Sequence, residues 1–64
     1  MKVYIQKDRK KLNISYSGTV IGLLQKLNIN SETVIVVKNG GLVNEDEIIK
    51  DSDEIEILQV VSGG

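Results

Sequence analysis

The chain has 64 residues, of which 41% are hydrophobic and 27% are charged, and its formal net charge is −1. This length predicts one small globular domain, because a chain this short buries only about 60% of its unfolded surface. It lacks cysteine, histidine, tryptophan and phenylalanine, which excludes disulfides and cysteine metal sites and argues against acid–base catalysis and nucleic-acid binding.

Residues 1–16 show the alternation of apolar and polar side chains that is typical of half-buried strands. The inward positions of the two runs are Met1, Val3, Ile5, Leu12, Ile14 and Tyr16. We therefore predict strands over 1–6 and 11–16, joined by a polar turn at Lys7-Asp8-Arg9-Lys10. These basic residues and Lys11 could contact phosphate, but the preferred interpretation is a solvated hairpin turn.

An amphipathic helix is predicted after the break at Ser17-Gly18. Thr19 is a suitable N-cap, because its hydroxyl can accept a hydrogen bond from a free backbone N–H of the first turn. The apolar residues that follow at helical spacing form one stripe: Val20, Leu23, Leu24 and Leu27. Gly22 is expected to mark close packing of this helix against the sheet, and Asn28 and Asn30 suit the helix end.

Residues 33–38 are the strongest strand signal of the chain, since they contain a continuous run of β-branched apolar side chains. The dipeptide Asn39-Gly40 follows, and this pair is preferred in two-residue hairpin turns of type I′. We therefore expect Leu42-Val43 to return as a short strand.

Residues 44–50 are predicted to contain one helical turn, over 46–50. Asn44 and Glu47 have the spacing of a capping box, in which two side chains satisfy free backbone N–H groups. One of the two isoleucines that follow, Ile48 or Ile49, is expected to enter the core.

The last predicted strand covers 54–60, after a turn at Asp51-Ser52-Asp53. The order ββαβ(β)β predicts an α+β fold in which a mixed sheet of four or five strands carries one main helix on one face. The expected core residues are Val3, Ile5, Leu12, Ile14, Val20, Leu23, Leu27, Val34, Val36, Ile55 and Ile57.

Acidic residues are frequent in the second half and invite a metal hypothesis: Glu45, Asp46, Glu47, Asp51, Asp53, Glu54 and Glu56. Their spacing does not match a calcium-binding loop, so no metal site is predicted. No phosphate-binding glycine motif is present, and no serine has a histidine to activate it. We expect no bound cofactor and no catalytic residue, and the protein is predicted to be acted on by an enzyme.

The charges divide along the chain, with six basic and one acidic residue in 1–31 and two basic and eight acidic residues in 32–64. Such a division suggests complementary docking to a partner, with a solvated surface as the alternative. No apolar run approaches the length of a membrane-spanning helix, and no signal-peptide pattern opens the chain. A cytoplasmic protein without membrane or nucleic-acid partners is expected.

The end of the sequence, Val60-Val61-Ser62-Gly63-Gly64, is its most distinctive stretch. We predict a domain over 1–60 and a flexible C-terminal tail over 61–64. Because glycine has no side chain, the slender carboxylate of Gly64 could enter a narrow site on another protein. The alternative is a frayed terminus without function.

Five features of the sequence act together: the ββαββ order, the Asn39-Gly40 turn, the Asp51-Ser52-Asp53 turn, the strand that ends at Leu58-Gln59-Val60-Val61, and Gly63-Gly64. In this combination the chain resembles the ubiquitin-like sulfur carriers over its whole length. It is most similar to the thiamine-biosynthesis type, with the molybdopterin synthase small subunit as the sister type. The resemblance implies a β-grasp, ubiquitin-like fold.

The resemblance also implies a role for Gly64. An adenylating partner enzyme would use ATP to convert the terminal carboxylate to an acyl-adenylate, and a persulfide sulfur from a donor would displace AMP to leave a thiocarboxylate. This group would donate its sulfur in cofactor biosynthesis, first of all to the thiazole of thiamine, with molybdopterin or tRNA thiolation as other acceptors. Ser62 and Gly63 would complete the tail.

Two further functions remain open at this point. One is a ubiquitin-like modifier that is joined to target lysines through Gly64, and the other is a small interaction module with an incidental tail. The partners implied by the resemblance are an adenylating enzyme of the ubiquitin-activating type, a sulfur donor and a sulfur-acceptor synthase. The synthase would be thiazole synthase or the molybdopterin synthase large subunit.

A docking surface for these partners is predicted from the alternation of the strands. If Val36 and Ile57 face the core, their neighbours must face outward. The four outward apolar residues expected beside the root of the tail are Ile35, Val37, Leu58 and Val60. Glu54 and Glu56 are expected to rim this surface.

Overall fold

The computed structural model describes residues 1–60, which contain seven strands, one α-helix and one 3₁₀ turn. The strands are β1 (Lys2–Ile5), β2 (Lys10–Asn13), β3 (Gly18–Thr19), β4 (Val34–Lys38), β5 (Gly41–Val43), β6 (Ile48–Ile49) and β7 (Glu54–Gln59). The helix α1 spans Val20–Lys26, and the 3₁₀ turn spans Ser31–Thr33.

Five of the strands form one mixed sheet in the order β2-β1-β7-β4-β5. Strands β1 and β7 run parallel, and the other neighbouring pairs are antiparallel. Strands β3 and β6 form a separate antiparallel pair. Helix α1 packs on one face of the large sheet, since its buried residues share a core with β1, β4 and β7. This is the predicted α+β arrangement of a mixed sheet and one main helix.

Helix α1 begins after the predicted cap, Thr19, and ends at Lys26, two residues before the first predicted exit residue. The Thr19 hydroxyl accepts a hydrogen bond from the Gly22 backbone N–H at 3.1 Å, and Asn28 adopts φ 59°, the left-handed conformation that ends many helices. Gly22 faces Tyr16 and not the sheet, so the predicted reason for this glycine is wrong. A Cβ at Gly22 would collide with the Tyr16 hydroxyl, which donates to the Thr19 carbonyl at 2.7 Å.

The turn between β4 and β5 has the predicted type. Asn39 has φ 49° and Gly40 has φ 88°, and a type I′ turn requires positive φ at both central residues. The two-residue loop sets the register, so that Lys38 pairs with Gly41 and Val37 with Leu42.

The helical turn predicted over 46–50 is wrong. The Glu47 backbone N–H donates to the Asn44 carbonyl at 3.1 Å, which closes a single turn, and the chain then continues as β6. Ile49 is buried and Ile48 is exposed, as expected for one isoleucine that enters the core. The extended conformation is favoured because β6 finds a partner in β3, some thirty residues earlier in the chain.

Residues 44–47 also complete the start of the helix. The Val20 N–H donates to the Glu47 carbonyl at 3.0 Å, and the Ile21 N–H donates to the Glu45 carbonyl at 2.9 Å. These donors are among the backbone groups that a helix start leaves without intrahelical partners. Backbone carbonyls from this distant segment therefore supplement the cap that the sequence predicted.

The second strand ends earlier than predicted. The prediction covered 11–16, and β2 ends at Asn13. Ile14 still donates its N–H to the Met1 carbonyl at 2.9 Å. The chain then leaves the sheet, since the Tyr16 N–H is bound by the Asp51 carboxylate at 2.9 Å.

The predicted core is confirmed in its register. All eleven expected residues are buried or half-buried, and those that are fully buried are Val3, Val20, Leu23, Val36, Ile55 and Ile57. Ile5, Leu12, Ile14, Leu27 and Val34 are half-buried at its edge. The core also contains Met1, Leu24 and Ile49. The sequence had placed Met1 and Leu24 on apolar faces and expected one of Ile48 and Ile49 in the core.

Asp53 connects two turns at the end of the sheet away from Val60. Its carboxylate accepts hydrogen bonds from the Lys50 N–H at 2.8 Å and from the Asn39 side-chain amide at 3.0 Å. The Asn39 side-chain oxygen in turn accepts from the Glu54 N–H at 2.9 Å. The bond from Lys50, followed by that from Asn39, lowers the pKa of Asp53 because both favour the charged carboxylate.

Asp51 is the first residue of the Asp51-Ser52-Asp53 turn, and its carboxylate also accepts hydrogen bonds. It accepts from the Tyr16 N–H at 2.9 Å and from the amino group of Met1 at 3.2 Å. The backbone bond from Tyr16, more than the amino group, lowers the pKa of Asp51. The two aspartates of the predicted Asp51-Ser52-Asp53 turn therefore bind different parts of the chain.

We expect the stability of the fold to depend on Asp53 in acid. A lowered folded-state pKa contributes stability above the ordinary aspartate pKa, and this contribution disappears as the pH falls through the folded value. Asp53→Asn should therefore lower the urea midpoint at pH 7, and the difference from the wild type should shrink below about pH 4. Urea unfolding measured from pH 7 to pH 2 tests this expectation.

Asp46→Asn is the matched control, since Asp46 is exposed and its side chain makes no hydrogen bond to residues 1–60. A difference between wild type and Asp53→Asn that stays constant over the whole pH range would contradict the assignment.

Candidate functional site

The predicted tail lies beyond the part of the chain that the structure describes. Ser62, Gly63 and Gly64 are outside the described residues, and so is the boundary predicted between 60 and 61. The last described residue is Val60, which follows directly on β7. The site can therefore be built from the root of the tail and from the sheet beside it.

The outward face of the sheet carries the predicted apolar residues. Ile35 on β4 pairs with Leu58 on β7, so their side chains lie next to each other on the same face. Ile35 is 39% exposed and Val60 is 49% exposed, while Val37 and Leu58 are half-buried. We refer to Ile35, Val37, Leu58 and Val60 as the outer patch.

Leu42 extends this patch, and the sequence prediction missed it. It pairs with Val37, so it lies on the same face, and it is 73% exposed. The signal was present in the sequence, because a two-residue turn at Asn39-Gly40 places Leu42 opposite Val37.

A polar strip lies beside the outer patch. Glu56 pairs with Val37 on one side and with Tyr4 on the other, and Tyr4 pairs with Lys11. Glu56 therefore borders the apolar residues, as predicted. Glu54 is more distant along β7, where it pairs with Lys2.

A shallow groove runs over this polar strip, across β2, β1 and β7. Its outward lining residues include basic, neutral and acidic side chains: Lys2, Tyr4, Lys11, Asn13, Glu54 and Glu56. Such a mixed surface suits contact with another protein and lacks the single sign of charge that a phosphate backbone would require.

The root of the tail is held on both edges of β7. The Gln59 N–H donates to the side-chain oxygen of Gln6 at 2.9 Å. The Val60 N–H donates to the Thr33 carbonyl at 3.0 Å. The last described residues of the chain are thus fixed to β1 on one side and to the 3₁₀ turn on the other.

Within residues 1–60, no group of three carboxylates lies close enough together to hold a metal ion. The same part of the chain contains no helix that is long and apolar enough to cross a membrane.

A family comparison decides what kind of protein carries this arrangement. The ThiS family model matches residues 3–64, which is nearly the whole chain and includes Gly63-Gly64. The chain belongs to the ThiS family. The predicted membership of the ubiquitin-like sulfur carriers is therefore confirmed.

Two curated proteins are similar to this chain over most of its length, and one of them is a sulfur carrier. The sulfur carrier protein TtuB of Thermus thermophilus is 28% identical over 57 residues, which cover 89% of this chain and 88% of TtuB. An uncharacterized protein of Archaeoglobus fulgidus is 32% identical over 62 residues, which cover 95% of this chain and 91% of that protein.

Solved structures of a ThiS protein have the same fold. The crystal structure of the thiamine biosynthesis protein ThiS from Geobacter metallireducens superposes with a TM-score of 0.66, at 27% identity and with complete coverage of both chains. The solution structure of a thiamine biosynthesis protein from the same organism gives a TM-score of 0.61 at 25% identity, covering 100% of this chain and 88% of that one. The predicted β-grasp fold is confirmed.

ThiS-type sulfur carriers are small carrier proteins rather than catalytic enzymes, and they work with activating enzymes and synthases. Such a protein needs a surface that its partners can contact. The outer patch, the groove of mixed charge beside it and the root of the tail are described parts of this chain that could serve that contact.

Proposed function

We propose that this chain is a cytoplasmic sulfur carrier whose Gly64 carboxylate is converted to a thiocarboxylate. The observation that carries the proposal is the ThiS family match, which extends through Gly63-Gly64. The chain has no cysteine, so no side-chain thiol can hold the sulfur as a persulfide. The terminal carboxyl group is then the place for covalent attachment.

The chemistry requires activation, because a carboxylate is a poor electrophile. An adenylating enzyme of the ubiquitin-activating type would join Gly64 to AMP and release pyrophosphate from ATP. The terminal sulfur of a donor persulfide would attack the acyl carbon and expel AMP. A thiol would then reduce the acyl disulfide and release the thiocarboxylate. ATP is used in the partner's site, and we propose no cofactor bound to this chain.

The sulfur acceptor proposed first is the thiazole of thiamine, through a thiazole synthase. Support comes from the family and from the Geobacter protein, which is described as a thiamine biosynthesis protein. Molybdopterin and thiolated tRNA are other acceptors of the same thiocarboxylate chemistry. Conjugation to target lysines is the alternative use of an activated Gly64, and the comparisons do not favour it.

Intact-mass measurement tests the proposed function. The chain is incubated with the adenylating enzyme of its own organism, ATP and a persulfide donor. The expected product is heavier by the difference between a sulfur and an oxygen atom. A much larger adduct on another protein would show conjugation, and an unchanged mass with an active enzyme would contradict the proposal.

We further propose that the outer patch docks the activating enzyme. Apolar side chains gathered on one face of a small monomer usually mark an interaction site. Here they lie on β4 and β7, and β7 leads directly to the tail. Docking at this patch would therefore bring the root of the tail to the enzyme.

Leu58→Asp should weaken binding to the activating enzyme at least about 30-fold, the effect of losing one interface hot spot. A charge beside Ile35 would have to be buried without a partner in the complex. Titration calorimetry with the enzyme measures the affinity, and circular dichroism confirms that the variant is folded.

Ile48→Asp is the matched control, since Ile48 is 58% exposed and lies on β6, outside the large sheet. It should bind like the wild type. Wild-type affinity of a folded Leu58→Asp variant would place the docking surface elsewhere.

A further inference from the structure

We infer that Gln6 is a positioning residue that fixes the point at which the chain leaves the sheet toward Gly64. The inference rests on the proposed function, since it concerns how Gly64 reaches the activating enzyme. It assigns Gln6 no contact with ATP or with the reacting carboxyl group.

The parallel pairing of β1 and β7 shows what the Gln6 side chain replaces. The Gln6 N–H donates to the Ile57 carbonyl at 3.0 Å. In a regular parallel ladder the backbone carbonyl of Gln6 would accept a hydrogen bond from the next N–H of β7 that points toward β1. That N–H belongs to Gln59. This second bond would hold the end of β7 to β1.

The backbone carbonyl of Gln6 serves another purpose here. It accepts from the Arg9 N–H at 3.1 Å and so closes the turn between β1 and β2. The side-chain oxygen of Gln6 takes over the ladder position and accepts from the Gln59 N–H at 2.9 Å. Gln6 therefore makes two different contacts. Its backbone carbonyl starts the turn after β1, and its side chain binds β7 at Gln59, one residue before Val60.

At the other edge of β7, a backbone hydrogen bond holds the residue that follows the strand. Val60 donates to the Thr33 carbonyl at 3.0 Å. Thr33 is itself fixed, because its N–H and its hydroxyl both donate to the Asn30 carbonyl, at 3.2 Å and 2.9 Å. The end of β7 is thus attached on both edges, by the Gln6 side chain at Gln59 and by the Thr33 backbone at Val60.

If Gly64 is the reacting residue, as proposed, the exit point matters because few residues separate Gly64 from Val60. Four residues follow Val60, and four residues reach at most about 14 Å. If Gln59 detaches from β1, the unattached chain between β7 and Gly64 becomes longer, and its starting direction is no longer fixed. The local concentration of a tethered group falls as the tether lengthens beyond the span it must bridge.

Gln6 can be changed without disturbing the core or the turn. Its side chain is exposed, and the turn is closed by backbone atoms of Gln6 and Arg9. A change of side chain should therefore alter the attachment of Gln59 and leave the fold intact.

Three variants separate the hydrogen bond from other effects. Gln6→Ala removes the acceptor, and Gln6→Asn keeps the amide but is one methylene too short to reach Gln59. Gln6→Glu keeps an acceptor oxygen at the same distance and should restore the attachment. Gln25→Ala is the matched control, since Gln25 is exposed on α1 and its side chain makes no hydrogen bond to any described residue.

Amide hydrogen exchange followed by NMR gives the readout that is independent of the partner. Exchange at Gln59 should be at least about fivefold faster in Gln6→Ala and Gln6→Asn, as for the loss of one hydrogen bond. Exchange in the centre of β7 should stay at the wild-type rate. Gln6→Glu and Gln25→Ala should match the wild type at both positions.

ATP–pyrophosphate exchange with the adenylating enzyme of the same organism gives the functional readout. Gln6→Ala and Gln6→Asn should lower kcat at least about threefold, in line with a longer tether. KM should not change, because the outer patch is intact. Restoration of kcat by Gln6→Glu would support positioning through the acceptor oxygen.

Wild-type kcat in Gln6→Ala, or an equal loss in Gln6→Glu and Gln6→Ala, would overturn the inference. Absence of adenylation in the wild-type chain would instead overturn the proposed function. In that case unchanged Gln59 exchange in Gln6→Ala would independently disprove the attachment.

Discussion

A chain extended by one residue after Gly64 is expected to form no thiocarboxylate at Gly64. The added peptide bond converts the Gly64 carboxyl group to an amide, which cannot be adenylated as a carboxylate. Removal of Gly64 should have the same effect, since the carboxyl group then lies one residue nearer the sheet. Activity in the intact-mass experiment should fall below detection in both cases.

Folding should be unaffected by these changes, because within residues 1–60 the last buried core residue is Ile57. Equal melting temperatures of the wild type and both variants serve as the control. Thiocarboxylate formation by the extended chain would show that the reacting group is not the carboxyl of Gly64. Gly63→Ala should fold normally and be activated poorly, because a Cβ would widen the tail that we propose to enter a narrow site of the activating enzyme.

Most of the large sheet could be predicted from local patterns. Alternation identified the inward residues of β1 and β7, since a slip by one residue would have placed charged side chains in the core. In β4 the apolar run is continuous, so its inward residues were assigned by assumption and not by alternation. Asn39-Gly40 fixed the β4–β5 register, because few dipeptides favour positive φ at two successive positions. The outward positions of Ile35 and Leu58 follow from the same alternation.

The two-stranded pair β3–β6 could not be predicted in this way. Each strand has two residues, which is too short for a period to be visible. The capping-box spacing of Asn44 and Glu47 favoured a helical turn, and a long-range pairing with β3 overrode this local preference. Tertiary contacts determine the conformation of segments with weak local preferences. The wrong prediction of a helical turn over 46–50 arose in such a segment.

The role of Gln6 was also invisible in the sequence. It occupies an outward position of an alternating strand, where any polar residue would be acceptable. Its contact with Gln59 depends on the parallel pairing of β1 and β7, which are separated by almost the whole chain. A functional contact between the first and last strands can be found only when the topology is known.

The core beneath the outer patch gives the largest expected loss of stability. Ile57 is 1% exposed and lies between Ile5 on β1 and Val36 on β4. Its truncation leaves a cavity where the two central strand pairs and the helix meet. Ile57→Ala should lower the free energy of unfolding by about 2–5 kcal/mol.

This loss is comparable to the whole stability of a small domain, which is often only about 5 kcal/mol. We therefore expect Ile57→Ala to be partly or fully unfolded at 37 °C. Ile57→Val removes one methyl group and should cost about 0.5–1.5 kcal/mol, so it gives a folded variant for quantitative comparison. Urea unfolding measures both differences.

Two further truncations rank the core by burial. Leu27→Ala should cost less than Ile57→Ala, because Leu27 is only half-buried at the end of the helix stripe. Ile48→Ala should be close to neutral, because Ile48 is exposed. Equal urea midpoints for Ile57→Ala and Ile48→Ala would mean that β7 is shifted by one residue, and such a shift would also turn Leu58 inward and remove it from the outer patch.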